Sequence, residues 1–148
     1  MKTKEKIWKF IDDKYKSLEE FESLRPETVL KYYGEKLIED TNKLLNFDIE
    51  IEIISHEKFP ILLETRFFIT VSNSPKSYRS LLFRINYYIN NIYPCNFYSL
   101  WTKNEYICSS KESLIEKIEE EIKNKKLSNY LGNLLYHFYD EETIKKLK

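Results

Sequence analysis

Residues 72–91, SNSPKSYRSLLFRINYYINN, hold three basic side chains among aromatic ones and no acidic side chain. Ser74 followed by Pro75 is typical of a helix N-cap and first helical position, and the apolar spacing behind them predicts a helix over residues 75–93. Cations near a helix N-terminus are disfavoured by the helix dipole, and a bound anion would relieve that cost. The residues expected to bind a phosphate or nucleic acid are Ser74, Lys76, Arg79, Arg84 and Tyr87. The alternative is a core helix with a solvated outer face.

A second candidate site consists of carboxylates on a predicted strand. Asp48, Glu50 and Glu52 alternate with apolar residues, which places them on one face of the strand. Glu64 would join them across a hairpin. Converging carboxylates can hold Mg²⁺ for phosphodiester cleavage, so a metal-dependent nuclease is one hypothesis. Arg66 lies among these acids and favours cross-strand ion pairs on a solvated surface instead.

Aromatic residues are concentrated between residues 93 and 106. A hairpin is predicted from strands 96–101 and 105–109, with a turn at Lys103 and Asn104. If helices cover one face of that hairpin, aromatic side chains stay exposed on the other face, as is typical of a protein interface. The predicted interface residues are Phe97, Tyr98, Trp101 and Tyr106. Fuller coverage by helices would bury them, and the sequence leaves both arrangements open.

The remaining side chains that could do chemistry are not part of a motif. His56 and His137 have no partner at metal-ligand spacing, and Cys95 and Cys108 form no Cys-x-x-Cys pair. In the predicted hairpin register the two cysteines are not opposite each other, so both are expected to be free thiols. We therefore expect no catalytic residue, no metal and no cofactor.

The apolar pattern predicts the element order ααββαββαα. Helical spacing covers residues 3–23, 26–44, 75–93, 112–122 and 128–138. Alternation of apolar and acidic residues predicts a strand over 47–53, and a second strand is predicted at about residues 61–71, so the two form an antiparallel hairpin. A single α+β domain over residues 1–148 follows, in which an antiparallel sheet of two hairpins packs against helices.

Composition and charge narrow the classes of function. The chain has 24 basic and 24 acidic residues, unlike the strongly basic chains of many nucleic-acid binders. Residues 26–60 hold four bases and eight acids, whereas residues 61–110 hold five bases and two acids, so the charge is polarised. The absence of a long apolar run and of a signal peptide predicts a cytoplasmic protein with no membrane partner. Abundant Lys, Ile and Asn without any Ala indicate an AT-rich genome.

These observations favour a small protein that works by binding. The leading hypothesis is a non-catalytic protein-binding module, such as an accessory or immunity-type inhibitory protein of a bacterial or phage conflict system. The alternative is a nucleic-acid or phosphate-binding protein that uses the basic, aromatic helix 75–93. A metal-dependent nuclease on the acidic strand face is the second alternative.

Overall fold

The computed structural model describes residues 18–55, 61–72 and 78–147. Two helices come first, α1 at Leu18–Leu24 and α2 at Pro26–Asp40. Five strands follow: β1 at Leu45–Ser55, β2 at Leu62–Val71, β3 at Arg79–Tyr88, β4 at Asn91–Ser99 and β5 at Glu105–Cys108. The last helices are α3 at Lys111–Ile122, α4 at Lys125–Phe138 and α5 at Glu141–Lys145. None of these helices is long and apolar enough to cross a membrane.

The strands form one antiparallel sheet whose spatial order, β1-β2-β3-β4-β5, is the order of the chain. The predicted α+β class and the antiparallel sheet packed against helices are confirmed. The sheet has five strands, whereas two hairpins would have supplied four. Within the described residues, β1 and β5 are the outermost strands.

The additional strand is β3, and it replaces the helix predicted over residues 75–93. A β-bulge explains why the sequence was misleading. Phe67 pairs with Phe83 and Phe68 pairs with Leu81, so Leu82 is an extra residue in β3. Leu82 and Phe83 are both 2% exposed, and this buried doublet interrupts the alternation of a strand. The resulting spacing of apolar residues resembles that of a helix.

A row of aromatic rings crosses the inner face of the sheet and forms the centre of the core. Phe47, Phe67, Phe83, Phe97 and Tyr106 come one from each strand, and neighbouring ring centroids lie 5.2–5.9 Å apart. Such contacts add about 0.5–1.5 kcal/mol per pair to the burial of apolar area. Helices α2, α3 and α4 cover this row with buried aliphatic residues: Val29, Leu30, Leu114, Ile118, Leu127 and Leu134.

The β4–β5 hairpin confirms the predicted turn but corrects its register. Lys103 has a positive φ of 62° in the turn. Tyr98 pairs with Glu105, and continuing the ladder brings Cys95 directly opposite Cys108. The prediction that the cysteines are not opposite each other is therefore wrong. Both are buried, free thiols.

Candidate functional site

The outer face of the sheet carries charged side chains in cross-strand rows. Glu50 of β1 pairs with Arg66 of β2, and Arg66 pairs with Arg84 of β3. The Arg66 guanidinium contacts Glu52 and donates from Nε to Glu64 Oε2 at 2.6 Å. The hydrogen bond to Glu64 raises the pKa of Arg66 further. This confirms the cross-strand ion pair expected from the sequence.

Three of the four carboxylates that could have formed a metal site, Glu50, Glu52 and Glu64, are thus already paired with arginines. Arg79 Nη1 lies 2.5 Å from Glu50 Oε1, and its guanidinium lies 3.9 Å from the centroid of the Phe68 ring. In the part of the chain that the structure describes, no three His, Cys, Asp or Glu side chains are grouped to hold a metal ion. The geometry therefore gives the nuclease hypothesis no support.

The residues predicted to bind phosphate are not brought together in the described regions. Ser74 and Lys76 lie outside the described residues. Arg79 and Arg84 are on the outer face, but Tyr87 is on the inner face, 6% exposed, with its hydroxyl 3.5 Å from Glu27 Oε2. Side chains of a strand alternate between faces, so Arg84 and Tyr87 cannot share a surface as they would on a helix.

Arg84 has unusual surroundings for an arginine. Its guanidinium lies 4.7 Å from the centroid of the Tyr98 ring. Its Nε is buried and has no hydrogen-bond partner. No carboxylate of the described regions forms an ion pair with it, whereas Arg66 and Arg79 have such partners. Arg84 is therefore a cation available to an anion on this face.

The predicted aromatic interface is divided between the core and the surface. Phe97 is 0% exposed, and Tyr106 is half-buried with its hydroxyl donating to Glu121 Oε1 at 2.8 Å. Trp101 is 39% exposed and stacks on Tyr130 with centroids 3.8 Å apart. Tyr98 lies on the outer face beside Arg84. Helices cover the inner face of this hairpin, so Tyr98 and Trp101 keep exposed surface while Phe97 does not.

Sequence reasoning missed a buried carboxylate on α3. Glu121 is 1% exposed and accepts hydrogen bonds from Thr102 Oγ1 at 2.7 Å, Asn104 Nδ2 at 3.0 Å and Tyr106 at 2.8 Å. Burial alone would raise the pKa of Glu121, but these hydrogen bonds outweigh it and hold the pKa below its ordinary value. Glu121 continues the buried stripe of Leu114 and Ile118 at helical spacing, which is the signal that could have identified it.

A cavity of about 290 Å³ lies between the sheet and helices α2, α3 and α4. Its walls are mostly aliphatic and aromatic, including Leu37, Leu82 and Leu131. Tyr33 and Glu119 also line it, and the Tyr33 hydroxyl donates to Glu119 Oε1 at 2.8 Å. Lys36, Asp40 and Lys123 also line the cavity, so its mostly apolar wall carries charged groups along part of the lining.

Exposed apolar side chains gather at one end of the sheet. Five of the ten large apolar residues that are exposed in the described regions lie where β1 ends, β2 begins and β3 ends: Ile51, Ile53, Ile54, Tyr88 and Ile89. The register aligns these strand ends, because Leu62 is opposite both Ser55 and Tyr88. Ile51 and Ile53 are on the inner face, whereas Tyr88, next to inner-face Tyr87, is on the outer face. We call these five residues the apolar sheet end.

The edge of β1 continues from the apolar sheet end. In the described sheet, β1 pairs with β2 and with no other strand. A groove of about 350 Å³ separates β1 from the start of α2. Its lining residues are Glu27, Thr28, Lys31, Ile49 and Ile51. We call this feature the β1 groove.

The chain matches no protein-family model, no curated protein and no solved structure. Its function must therefore be inferred from its own surfaces.

Proposed function

We propose that the protein is a non-catalytic protein-binding module that contacts its partner through the apolar sheet end. The observation that carries this proposal is the clustering of exposed apolar residues, with Ile53 52%, Tyr88 47% and Ile89 50% exposed. Apolar residues scattered singly over a surface are normal, whereas several grouped at one end of a sheet favour an interaction site. The proposed interface differs from the aromatic residues 97–106 because packing against the helices removes Phe97 from the surface.

The patch can supply a useful share of a binding energy. Burial of apolar surface contributes about 25 cal/mol per Å², so each half-exposed isoleucine gains roughly 1 kcal/mol when a partner covers it. Glu52 lies between Ile51 and Ile53 in sequence, and together with Arg66, which it contacts, it provides a charged rim on the outer face. An apolar centre with a polar rim is the usual anatomy of a protein interface.

The biological role that fits this module is that of an accessory or immunity-type inhibitor in a bacterial or phage conflict system. Such a protein acts by covering a partner and needs no catalytic group of its own. We place it in a reducing compartment such as the cytoplasm. Cys95 and Cys108 lie opposite each other as free thiols, and a reducing compartment would keep them so.

A charge placed in the apolar sheet end tests this proposal. The variant Ile53→Lys is compared with Ile107→Lys, a matched control on the opposite edge strand whose isoleucine is 77% exposed. Each is used as bait in lysate of the organism that encodes the protein, and captured proteins are quantified by mass spectrometry. We expect a protein that is captured by the wild type and by Ile107→Lys but is lost with Ile53→Lys.

Two outcomes of this capture would contradict the proposal. One is equal recovery of every captured protein by the two variants. The other is loss of capture by both variants at unchanged melting temperature, which would show that the effect of an added charge is not specific to the apolar sheet end. Circular dichroism of both variants separates loss of the surface from loss of the fold.

Arg84 favours a second candidate function, the binding of a phosphate or nucleic acid. Its cation has no carboxylate partner in the described regions and lies over Tyr98, an arrangement that also suits stacking of a base. Fluorescence anisotropy with labelled single-stranded RNA and DNA at about 50 and 200 mM salt tests it. We expect the affinity to fall with salt and in the variant Arg84→Ala. The control variant Arg25→Ala should bind as the wild type does, because Arg25 is already paired with Glu27. Absence of binding at the lower salt would exclude this function.

A further inference from the structure

We infer that the partner binds as a β-strand added to the edge of β1, and that this strand alternates basic with apolar residues. The inference rests on the proposed protein-binding function and specifies how the site recognises its partner. Strand addition uses main-chain hydrogen bonds for affinity and pockets for alternate side chains for specificity. Both are available at β1.

The edge of β1 is long and, within the part of the chain that the structure describes, pairs with no further strand. β1 has 11 residues, and alternate residues of an edge strand direct N–H and C=O groups away from the sheet. On its outer face the side chains of Glu50 and Glu52 are 46% and 54% exposed. On its inner face Ile51 and Ile53 are 46% and 52% exposed. A strand that is half-exposed on both faces leaves room for another strand beside it.

The β1 groove is positioned to receive the apolar side chains of the added strand. Ile49 and Ile51 form its apolar floor, and Thr28 and Lys31 of α2 form its opposite wall. An added strand would place every second side chain on the inner face of the sheet, above this groove. Apolar residues at those positions would cover Ile51 and extend the contact to Ile53.

The outer face of β1 determines which charge the outward side chains of the added strand should carry. Asp48, Glu50 and Glu52 form an acidic row along β1, and the outward residues of an added strand would lie directly opposite them. Opposite charges at such cross-strand positions are stabilising, and like charges are destabilising. Arg79 and Arg66 already contact Glu50 and Glu52, but no ion pair within the described regions involves Asp48. Lysine or arginine in the added strand would complete this row.

The same row argues against a second copy of this chain as the occupant. Antiparallel pairing of two β1 strands about a two-fold axis would continue the outer face of one sheet into that of the other. The acidic rows of both copies would then face each other across the junction, which is destabilising. Charge complementarity therefore selects a different protein with a basic strand.

Synthetic peptides of about ten residues test the inference directly. The probe alternates Arg with Val, and it is compared with a Glu-Val peptide and with a peptide that has its arginines and valines in separate blocks. Binding is followed by amide chemical shifts and hydrogen exchange of the isotope-labelled protein. We expect shifts and slowed exchange in β1, with the Arg-Val peptide bound about tenfold more tightly than the Glu-Val peptide. The double variant Asp48→Lys/Glu52→Lys should reverse this preference.

N-methylation of the Arg-Val peptide separates strand addition from other contacts. Methyl groups on alternate residues remove the donors on one edge of the peptide, and two such peptides cover both edges. Strand addition requires that one of them loses binding and the other keeps it. Equal binding of both, still lost with Ile53→Lys, would overturn strand addition and leave the protein-binding proposal intact.

Further outcomes of the peptide-binding and sedimentation experiments would overturn strand addition to β1. No binding of the Arg-Val peptide, or shifts confined to surfaces away from β1, would overturn the inference. Sedimentation that shows a wild-type dimer with protected β1 amides would assign the edge to a second copy and would overturn it as well. The capture experiment with Ile53→Lys tests the protein-binding function separately. The protein-binding proposal and the strand-addition proposal can therefore fail independently.

Discussion

Glu121 shows how a single carboxylate can hold a turn in place. Thr102 and Asn104 belong to the turn between β4 and β5, and Tyr106 to β5 itself, yet all three donate to this one side chain on α3. A buried carboxylate is costly unless hydrogen bonds compensate its desolvation. Three donors supply that compensation, so the carboxylate stays ionised and fastens the turn to the helix.

We predict that Glu121→Gln lowers the free energy of unfolding by about 3 kcal/mol at neutral pH, since an amide cannot accept from all three donors. The pKa of Glu121 is lowered by folding. Its stabilisation is therefore present above the unfolded-state pKa of about 4.3 and is lost as the pH falls through the folded-state pKa. Urea unfolding at about pH 7 and pH 3 should show the difference between wild type and variant shrinking in acid. The exposed Glu116→Gln on the same helix serves as the control, and equal midpoints for the two variants would contradict this prediction.

Cys95 and Cys108 should be unreactive as long as the sheet is folded. Burial raises the pKa of both thiols, that of Cys95 to about 12, and the thiolate is the reactive form. We expect almost no reaction with a thiol-specific disulfide reagent at about pH 8, and stoichiometric reaction once urea unfolds the protein. The absorbance of the thiolate released by the reagent measures the reaction both in the native protein and in the protein unfolded by urea. A rapid native reaction would show that the β4–β5 ladder opens or that the thiols are accessible.

At the scale of elements, the sequence predicted β1 and β2 and missed β3, whose bulge lies within the strand. Charged residues of β1 and β2 alternate with inward residues, so the class and outward residues of these strands were predictable, and the irregularity of β1 at Ile54 lies beyond the predicted range 47–53. In β3 the extra residue Leu82 places two neighbouring side chains in the core. Because local spacing was the only guide, a strand with this bulge could not be told from an amphipathic helix.

The candidate site was predictable in part for the same reason. The acidic row of Asp48, Glu50 and Glu52 follows from alternation alone. The apolar sheet end does not, because it depends on which residues of β1, β2 and β3 the register aligns. The Leu62 pairing with Tyr88 brings together residues that are 26 positions apart. Such long-range pairing has no signature in a single sequence.

The packing of α2 on β1 depends on Gly34. A Cβ atom at this position would lie 2.5 Å from the Phe47 ring, whereas nothing lies within 4 Å of the corresponding atom at Gly132 in α4. We predict that Gly34→Ala destabilises the protein by about 1–3 kcal/mol through overpacking, despite the higher helix propensity of alanine. Gly132→Ala should stabilise it by about 0.5–1 kcal/mol. Urea unfolding of both variants measures the two effects, and changes of the same sign would contradict the proposed contact.

At the scale of the whole molecule, the two charge blocks of the sequence meet on one surface. The acidic residues of β1 lie beside basic residues of β2 and β3, and the pairs Glu50–Arg79 and Glu52–Arg66 join them. The polarised charge expected from the sequence is therefore neutralised in part within the outer face. Asp48 and Arg84 lie in this face without an ion-pair partner among the described residues, one acid and one base.

The two outermost strands of the sheet avoid unwanted pairing by different means. β5 has four residues and offers few main-chain groups, whereas β1 has 11. Natural proteins shorten edge strands or place charges on them to prevent association. We expect the acidic row to provide this protection for β1, because it would repel a second copy while it could attract a basic strand.

Removal of two negative charges from the acidic row of β1 should therefore allow the protein to self-associate. We predict that Asp48→Asn/Glu52→Gln, which keeps Glu50 for Arg79, forms dimers or larger species as its concentration rises. Glu35→Gln/Glu39→Gln on the exposed surface of α2 changes the net charge equally and should sediment like the wild type. Sedimentation velocity at increasing concentration compares the three proteins at neutral pH. If both double variants sediment alike, repulsion along β1 is not what keeps its edge unpaired, and the charge argument for a basic partner strand loses its support.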